Sequence, residues 1–285
     1  MKQIAILLTC HNRIMKTMAC LESLFNCSVP ENWSLDIFLV DDGSTDGTGD
    51  MVREKFPNVH VIEGSGNLYW SGGMRVAWEH AKKAKRFDGY LLLNDDVVLS
   101  KTVLNDLLET DSYAREKFNK QGIYVSSTAE AVSGKISYGG KLVVKKPFTY
   151  SIKLIEPGLF PKVCSIANAN ILLVMANVVE EIGIFDSRYI HGIADYDYSL
   201  VAVKHNFPLL ISPNIGGYCE NDHGNNWLST NSSLKQRMLY LYSPTGLAYK
   251  ENLYFLKKHF PRQLPYYFSM YWLKTFFPKL WDTFK

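Results

Sequence analysis

Polar and acidic side chains follow three short apolar runs in the first hundred residues. Residues 9–13 are TCHNR, residues 41–44 are DDGS and residues 94–96 are NDD. The ends of parallel strands lie on one edge of a sheet, so these side chains are expected to meet. Clustered carboxylates need a cation or hydrogen-bond donors. Their oxygens suit Mg²⁺ or Mn²⁺, which also bind diphosphate, so the pattern predicts a divalent-metal site.

A glycine-rich loop and a second acidic pair add to these candidates. Glycines in residues 64–73 let the backbone approach a ligand, and the start of the following helix favours phosphate. Gly64 and Gly66 lack the third glycine of a nicotinamide-nucleotide fingerprint, and no glycine-rich loop continues into the Gly-Lys-Ser/Thr of a P-loop. Asp195 and Asp197 begin a predicted helix, where acids also favour the helix dipole.

Alternating strand and helix patterns must position these residues. Strands are predicted at 4–8, 37–40, 59–62, 90–93, 123–127, 136–144 (bent at residues 139–140), 171–176 and 209–212. Helices are predicted at 15–25, 48–56, 73–85, 101–109 (with Ser100 as its N-cap), 195–205 and from residue 233 onward. The regular alternation in the first half indicates an α/β protein, with a mostly parallel Rossmann-like sheet and helices on both faces.

The composition is ordinary for a globular protein. Among 285 residues, 47% are hydrophobic, 21% are charged and the net charge is +3, so nothing in the bulk composition indicates a nucleic-acid-binding protein. The five cysteines are an odd number without a compact framework, which favours free thiols in a reducing cytoplasm. The apolar run 4–8 is too short for a signal-peptide core, and no run reaches the roughly 18–20 residues of a membrane-spanning helix.

The C-terminal part has a distinct composition. Residues 250–285 contain twelve aromatic residues and seven lysines or arginines against two acids. Aromatic and basic residues together are typical of a segment that lies at a membrane surface. Packing on the rest of the chain, or on a second subunit, explains the same pattern. Both interpretations remain open from the sequence.

Taken in order, these motifs resemble glycosyltransferase family 2, the large inverting family with the GT-A fold. The matching segments are 9–13, 40–48, 93–97, 181–186 and 194–197. The resemblance covers about residues 3–225. Residues 66–73, GNLYWSGG, are most similar to the branch that contains bacterial rhamnosyltransferase-like enzymes.

The resemblance implies a role for each matching residue. Asp195 would be the catalytic base, Asp95 would contact the ribose, and Thr9 and Asp42 would hold a pyrimidine ring, with Asp42 accepting the base N3–H. The residues implied to bind the donor nucleotide are Thr9, Asn12, Arg13, Asp41, Asp42, Asn67, Trp70, Gly72, Gly73 and Asp95. Asn94 and Ala194 stand where the family usually has acids.

The metal would be Mn²⁺ or Mg²⁺, bound by Asp96 with help from His223. A neutral imidazole beside a carboxylate and diphosphate oxygens suits this kind of ion. Cys219 and His223 also form half of a zinc site, but two ligands without a second pair are weak evidence. Asn168 and Asn170 are candidates for the acceptor pocket, and Asp197 for support of the helix start.

We therefore expect a glycosyltransferase domain at 1–230, with a nucleotide-binding half (1–110) and an acceptor half (111–230), and a helical extension at 231–285. The expected donor is dTDP-rhamnose or a UDP sugar, and the acceptor a glycan or lipid-linked glycan of surface polysaccharide synthesis. The expected location is cytoplasmic, with peripheral membrane contact or a homodimer formed through the extension. The alternatives are a non-catalytic sugar-nucleotide-binding module and a sugar nucleotidyltransferase.

Overall fold

The first strand, β1 (Lys2–Cys10), lies inside the main sheet and is buried without interruption from residue 4 to residue 10. Such burial is typical of a parallel strand covered by helices on both faces. The structure is a computed structural model, and it describes residues 1–221 and 232–283.

The remaining strands confirm the predicted α/β class. They are β2 (Trp33–Asp41), β3 (Val59–Glu63), β4 (Gly89–Leu93), β5 (Val98–Leu99), β6 (Ile123–Ala129), β7 (Ile136–Tyr138), β8 (Gly140–Lys145), β9 (Tyr150–Leu154), β10 (Lys162–Val163), β11 (Ile166–Ala167), β12 (Ile171–Met175) and β13 (Leu209–Tyr218). In the described residues the main sheet has the order β10-β13-β6-β12-β4-β1-β2-β3, and β5 and β7 pair with β13 and β6. Strand β1 pairs in parallel with both β2 and β4, whereas β12 is antiparallel to its two neighbours. A small antiparallel sheet has the order β11-β8-β9.

Helices connect and cover the strands. They are α1 (Ile14–Phe25), α2 (Thr48–Lys55), α3 (Tyr69–Ala84), α4 (Val103–Phe118), α5 (Ala176–Ile182), α6 (Ala194–Lys204), α7 (Leu234–Tyr242), α8 (Tyr249–His259), α9 (Leu264–Phe276) and α10 (Pro278–Thr283). Successive side chains of β1 enter opposite clusters, because strand side chains alternate between faces. Ala5 and Leu7 share a buried cluster with Trp78 of α3, whereas Ile6 belongs to the cluster of Leu21 in α1.

Several element boundaries differ from the prediction. The prediction of Ser100 as the cap of α4 is wrong, because Thr102 occupies the N-cap position. The backbone N–H of Ser100 instead donates to Gly216 of β13 at 2.8 Å, which keeps this residue beside the sheet. Helix α3 begins at Tyr69 rather than residue 73. The short elements α5, β9, β10 and β11 were not predicted, since runs of two to seven residues carry little periodicity.

The C-terminal helices pack on the rest of the molecule. Phe255 and Leu256 of α8 belong to the same buried cluster as Leu7 of β1. The ring of Tyr249 lies 5.6 Å from those of Tyr271 and Trp272, centroid to centroid. Packing therefore accounts for part of the aromatic composition. Among the helices of residues 1–221 and 232–283, none combines the length and apolar character needed to cross a membrane.

Candidate active site

Three loops meet at the carboxyl ends of β1, β2 and β4, and we call residues 9–13, 41–47 and 94–97 the rim. Strand register brings Cys10 opposite Asp41, so the first two loops begin side by side. The Asn12 side chain accepts a hydrogen bond from the Thr45 N–H at 2.7 Å, and the Asn12 N–H donates to Ser44 Oγ at 2.9 Å. Asn12 therefore joins the first loop to the second.

Arg13 joins the first loop to the third. Its Nη1 atom lies 3.0 Å from Asp95 Oδ1 and 3.1 Å from Asp96 Oδ2. Thr17 also donates to Asp95, at 3.3 Å, and Lys16 lies 4.0 Å from Asp96. Burial raises the pKa of Asp95 to about 6, and the guanidinium of Arg13 opposes that rise. Arg13 thus compensates the acidic pair that the sequence predicted at this edge.

Asp41 ends β2 and Asp42 follows it, and the two carboxylates accept hydrogen bonds from different backbone segments. Asp41 Oδ1 accepts the N–H of Ser44 at 3.0 Å and so closes the turn of residues 41–44. The buried Asp42 carboxylate instead accepts hydrogen bonds from three backbone N–H groups of residues 66–69, where the loop before α3 ends and the helix begins. They belong to Gly66 at 2.7 Å, Leu68 at 2.8 Å and Tyr69 at 3.0 Å. Asp42 therefore ties the end of β2 to this segment, and its contact with a pyrimidine ring stays a prediction.

The start of α3 contacts two loops of the rim, residues 94–97 and residues 9–13. The indole of Trp70 donates to the Asn94 side chain at 2.8 Å, which gives a local reason for an amide at that position. Gly73 packs on Thr9, where a Cβ atom would lie only 2.1 Å from the Thr9 hydroxyl oxygen. Gly73 is therefore required for close packing of helix on strand.

Gly72 and Asn67, the other two residues predicted to bind the donor in segment 66–73, differ in their exposure. Gly72 is buried, and its N–H donates to Ile190 at 3.4 Å. Asn67 is exposed, and its backbone N–H donates to Ser65 Oγ at 3.4 Å. Gly72 thus links the loop to residues 186–193, whereas Asn67 stays on the surface.

Asp195 lies in the first turn of α6 with 9% of its surface exposed. Its carboxylate accepts the Tyr196 N–H at 2.9 Å and the Ala169 N–H at 3.2 Å. Burial raises the pKa of Asp195 to about 6, although these hydrogen bonds oppose the rise. A carboxyl with such a pKa is ionised at neutral pH and still basic enough to accept a proton.

Residues 169–170 connect Asp195 to the rim. The Ala169 N–H donates to Asp195, and the next carbonyl, of Asn170, accepts the Asn94 N–H at 3.1 Å. The side chain of Asn170 also reaches Cys219 Sγ at 3.6 Å, and that thiol lies 3.6 Å from Asp96 Oδ1. The residue predicted as base and the residue predicted as metal ligand therefore belong to one contiguous set of contacts.

The metal prediction can be compared with the donors present. Among the described residues, no group of three His, Cys, Asp or Glu side chains is arranged to hold a metal ion. Asp96 supplies one carboxylate with 14% of its side chain exposed, and Mg²⁺-type ions often bind one or two carboxylates and take further ligands from substrate phosphates and water. His223 lies outside the described residues. The described donors fit an ion that is bound chiefly through a diphosphate, and they give no support to a zinc site.

The segment before α6 is held from two sides. Arg75 of α3 donates to the Tyr189 carbonyl at 2.6 Å, and Glu251 of α8 accepts the Ile190 N–H at 2.9 Å. Ile193, immediately before α6, has a positive φ of 67°. This conformation is unfavourable for a β-branched residue, so the surrounding contacts must impose it. These contacts orient the first turn of α6 and with it Asp195.

Asp197 belongs to a buried network that the sequence did not reveal. It accepts hydrogen bonds from Tyr189 at 2.8 Å, Lys258 at 2.8 Å and His259 at 2.7 Å. Burial acts to raise the pKa of Asp197, but these hydrogen bonds outweigh it and the pKa is lowered. The contacts agree with a supporting role for Asp197 and fasten α6 to α8. Lys258 and His259 lie more than sixty residues from Asp197 along the chain, so the local sequence pattern did not indicate these contacts.

The fold of the chain matches the GT-A fold of solved glycosyltransferase structures. S. aureus TarS 1–349 in complex with UDP-GlcNAc matches with a TM-score of 0.56 and 15% identity over 92% of this chain and 73% of that one. TarS 1–349 by itself matches with a TM-score of 0.52 and 15% identity, over 77% and 60%. The mannosyltransferase PcManGT from Pyrobaculum calidifontis, in complex with GDP-Man and Mn²⁺, matches with a TM-score of 0.54 and 13% identity, over 82% and 59%. The chain thus spans about 60% of the length of two of these structures.

The family follows from the sequence match. Residues 5–147, half of the chain, match the model of glycosyl transferase family 2, and the chain belongs to that family. No curated protein matches the chain significantly in sequence.

Replacing Asp42 by alanine tests its role as the tie between β2 and the loop before α3. We expect a loss of about 3 kcal/mol in the free energy of unfolding, because hydrogen bonds to charged groups are strong and unpaired buried donors are costly. The matched variant Asp41→Ala, which removes one hydrogen bond to backbone, should lose about 1 kcal/mol. Urea unfolding measures both, and equal losses would contradict this role.

Proposed function

We propose that the chain is an inverting glycosyltransferase that uses a pyrimidine nucleoside-diphosphate sugar, dTDP-rhamnose or a UDP sugar. The acceptor is a hydroxyl of a glycan or lipid-linked glycan in surface polysaccharide synthesis. The observation that carries the proposal is the contact path from Asp195 through residues 169–170 to Asn94 and Asp96. UDP-GlcNAc in the TarS structure is consistent with a pyrimidine donor, and residues 66–73 support rhamnose as the sugar.

In the proposed reaction, Asp195 accepts the proton of the acceptor hydroxyl as its oxygen attacks the anomeric carbon. The bond to the nucleoside diphosphate breaks in the same displacement, which inverts the anomeric centre. A divalent cation, Mn²⁺ or Mg²⁺, would be held by Asp96 and His223 and would neutralise charge on the diphosphate. Residues 1–110 bind the nucleotide, residues 111–230 bind the acceptor, and Arg13 supplies a fixed positive charge at the rim.

The two alternative functions differ from this proposal in the reaction products that they predict. A non-catalytic binding module would bind sugar nucleotide without transferring or hydrolysing it. A nucleotidyltransferase would release pyrophosphate from a nucleoside triphosphate. Product analysis of the purified protein with a sugar nucleotide and an acceptor extract, and in a separate reaction with a nucleoside triphosphate and a sugar 1-phosphate, distinguishes the three possibilities.

The variant Asp195→Asn tests the base. We expect a rate loss on the order of 10²–10⁴-fold with donor affinity unchanged, because the amide keeps the shape and loses basicity. The control Asp50→Asn changes an exposed aspartate that pairs with its helix neighbour Arg53 and should retain full activity. Equal rates for Asp195→Asn and the wild type would contradict the assignment.

The pH dependence follows from the same residue. Since the base acts in its ionised form and its pKa is raised to about 6, kcat/KM should fall as pH decreases through 6.

The variant Asp96→Ala tests donor and metal binding. A saturating donor with Mn²⁺ should raise the Tm of the wild type by about 4 °C, since ligand at a hundred times its Kd adds about 2.7 kcal/mol of stability. Asp96→Ala should lose the part of this shift that requires Mn²⁺. A panel of UDP, dTDP and GDP sugars identifies the nucleobase of the donor. A Tm shift with GDP-mannose alone would contradict a pyrimidine donor. An undiminished Mn²⁺-dependent shift in Asp96→Ala would exclude Asp96 as the ligand.

We also propose that the end of the chain contacts a membrane surface, and exposed apolar side chains there support this. Phe276 and Phe277 are 47% and 61% exposed, and Leu280 is 47% exposed. Lys274 and Lys279 lie within three residues of these side chains in the sequence. Aromatic and basic side chains of this kind bind the interface of an anionic bilayer.

Sedimentation with phosphatidylglycerol vesicles tests this contact. The double variant Phe276→Ser and Phe277→Ser should weaken binding about tenfold or more through lost apolar burial. The control double variant Leu159→Ser and Phe160→Ser removes two apolar residues elsewhere that are even more exposed, at 90% and 72%, and should bind normally. Equal binding of both variants would exclude this surface. Sedimentation that shows a dimer instead, weakened by the same double variant, would assign the surface to a second copy of the chain.

A further inference from the structure

One lysine of the small sheet lies beside the first turn of α6. Lys141 is half-buried at the start of β8, and its Nζ donates to the hydroxyl of Tyr196. The same Nζ lies 5.1 Å from the centroid of the Tyr196 ring. Tyr196 directly follows Asp195 and donates its backbone N–H to that carboxylate at 2.9 Å. The lysine therefore touches the residue that is bonded, both covalently and by hydrogen bond, to the proposed base.

The position of Lys141 is fixed by the packing of the small sheet. Gly140 lies so close to Ile211 and Cys164 that a Cβ atom there would be 2.3 Å and 2.8 Å from their side chains. On the other side, Lys141 pairs with Ile166 of β11. The start of the strand that carries Lys141 is thus packed closely against the main sheet at Gly140.

The small sheet also braces α6 at two points. The Ala167 N–H donates to Ser199 Oγ at 3.1 Å, and that hydroxyl donates to the Asp195 carbonyl at 2.7 Å. One turn earlier, the Asn168 side chain donates to the Tyr196 hydroxyl at 3.3 Å. The ammonium of Lys141 and the carboxyl of Asp195 are therefore held in a fixed relation by rigid elements.

Several groups act on the proposed base. The Ala169 N–H donates to it, the Lys141 ammonium of β8 favours its ionised form, and Asp197, two residues along α6, is paired with Lys258 and His259 of α8. Burial raises the pKa of Tyr196, so the phenol adds no negative charge at neutral pH. Burial lowers the pKa of Lys141, and the Asp195 carboxylate opposes that change. Among the described residues, Lys141 makes no ion pair within 4.0 Å with any acid, and its ammonium hydrogen bond goes to Tyr196.

We propose that Lys141 is a positioning residue for the transfer reaction, and that its ammonium, braced on Tyr196, keeps the Asp195 carboxyl ionised and oriented toward the acceptor. This inference rests on the proposed function of Asp195 as the base. Arg13 serves the acids of the rim, and Lys141 serves the separate carboxyl of α6. An opposite charge near a buried carboxyl favours its ionised form. Loss of Lys141 would therefore raise the pKa of Asp195, because less positive charge would counteract the effect of burial.

The experiment compares pH profiles of kcat/KM for donor turnover in the wild type, Lys141→Met and Lys141→Arg. Lys141→Met should raise the midpoint of the acidic limb by about 1 pH unit, which lowers the rate about five-fold near pH 6 and hardly at all near pH 8.5. Lys141→Arg keeps the charge and should retain the wild-type midpoint. The control Lys153→Met removes an exposed lysine of the adjacent strand β9 and should leave the profile unchanged.

Carbon-13 NMR titration of the aspartate carboxyls, with Asp195 assigned by its absence in Asp195→Asn, gives a reading that does not depend on activity. An upward shift of that carboxyl titration in Lys141→Met supports the inference even if Asp195→Asn remains active, an outcome that would refute only the proposed base. An unshifted titration, or an equal rate loss at every pH, would overturn the inference and assign Lys141 a purely structural role.

Discussion

Parallel pairing of β1 with both β2 and β4 is the constraint on which the rest of the site depends. It directs three loops to one edge, and two of these loops contain adjacent acids. Acids that meet at such an edge must be compensated, because unpaired buried charge is costly. Arg13 contacts Asp95 and Asp96, and backbone N–H groups satisfy Asp42. Compensation by fixed groups leaves the rim ordered before any ligand binds.

Three of the seven non-glycine residues with positive φ among the described residues lie around the proposed site. Asn12, Tyr69 and Ile193 have positive φ values of 50°, 54° and 67°, and they lie in the first loop, at the start of α3 and just before α6. Such conformations persist only where neighbouring contacts over-determine them, and they occur often at functional sites. At Asn12 and Tyr69 the contacts are hydrogen bonds to the second loop and to Asp42. The scaffold therefore holds the loops of the rim in place at some energetic cost.

The C-terminal helices are part of this arrangement and not an appendage to it. Helix α8 contributes Lys258 and His259 to Asp197, and Glu251 to the segment before α6. These contacts fasten the helix that carries Asp195. The same helices also carry exposed aromatic residues toward the end of the chain. One segment thus fastens the helix of the proposed base and carries exposed aromatic side chains.

The sequence by itself determined the α/β class, most of the strands and helices of the first half, and the residues gathered on the rim, because hydrophobic periodicity and strand-end acids are local signals. It did not determine that Asp42 ties down a loop, that Arg13 pairs with both rim acids, or that Asp197 contacts α8. Nor did it single out Lys141, which lies fifty-five residues from Tyr196 along the chain. Those facts depend on which distant groups share a buried site. Only tertiary packing decides that, because the energy of a charge is set by its neighbours in space.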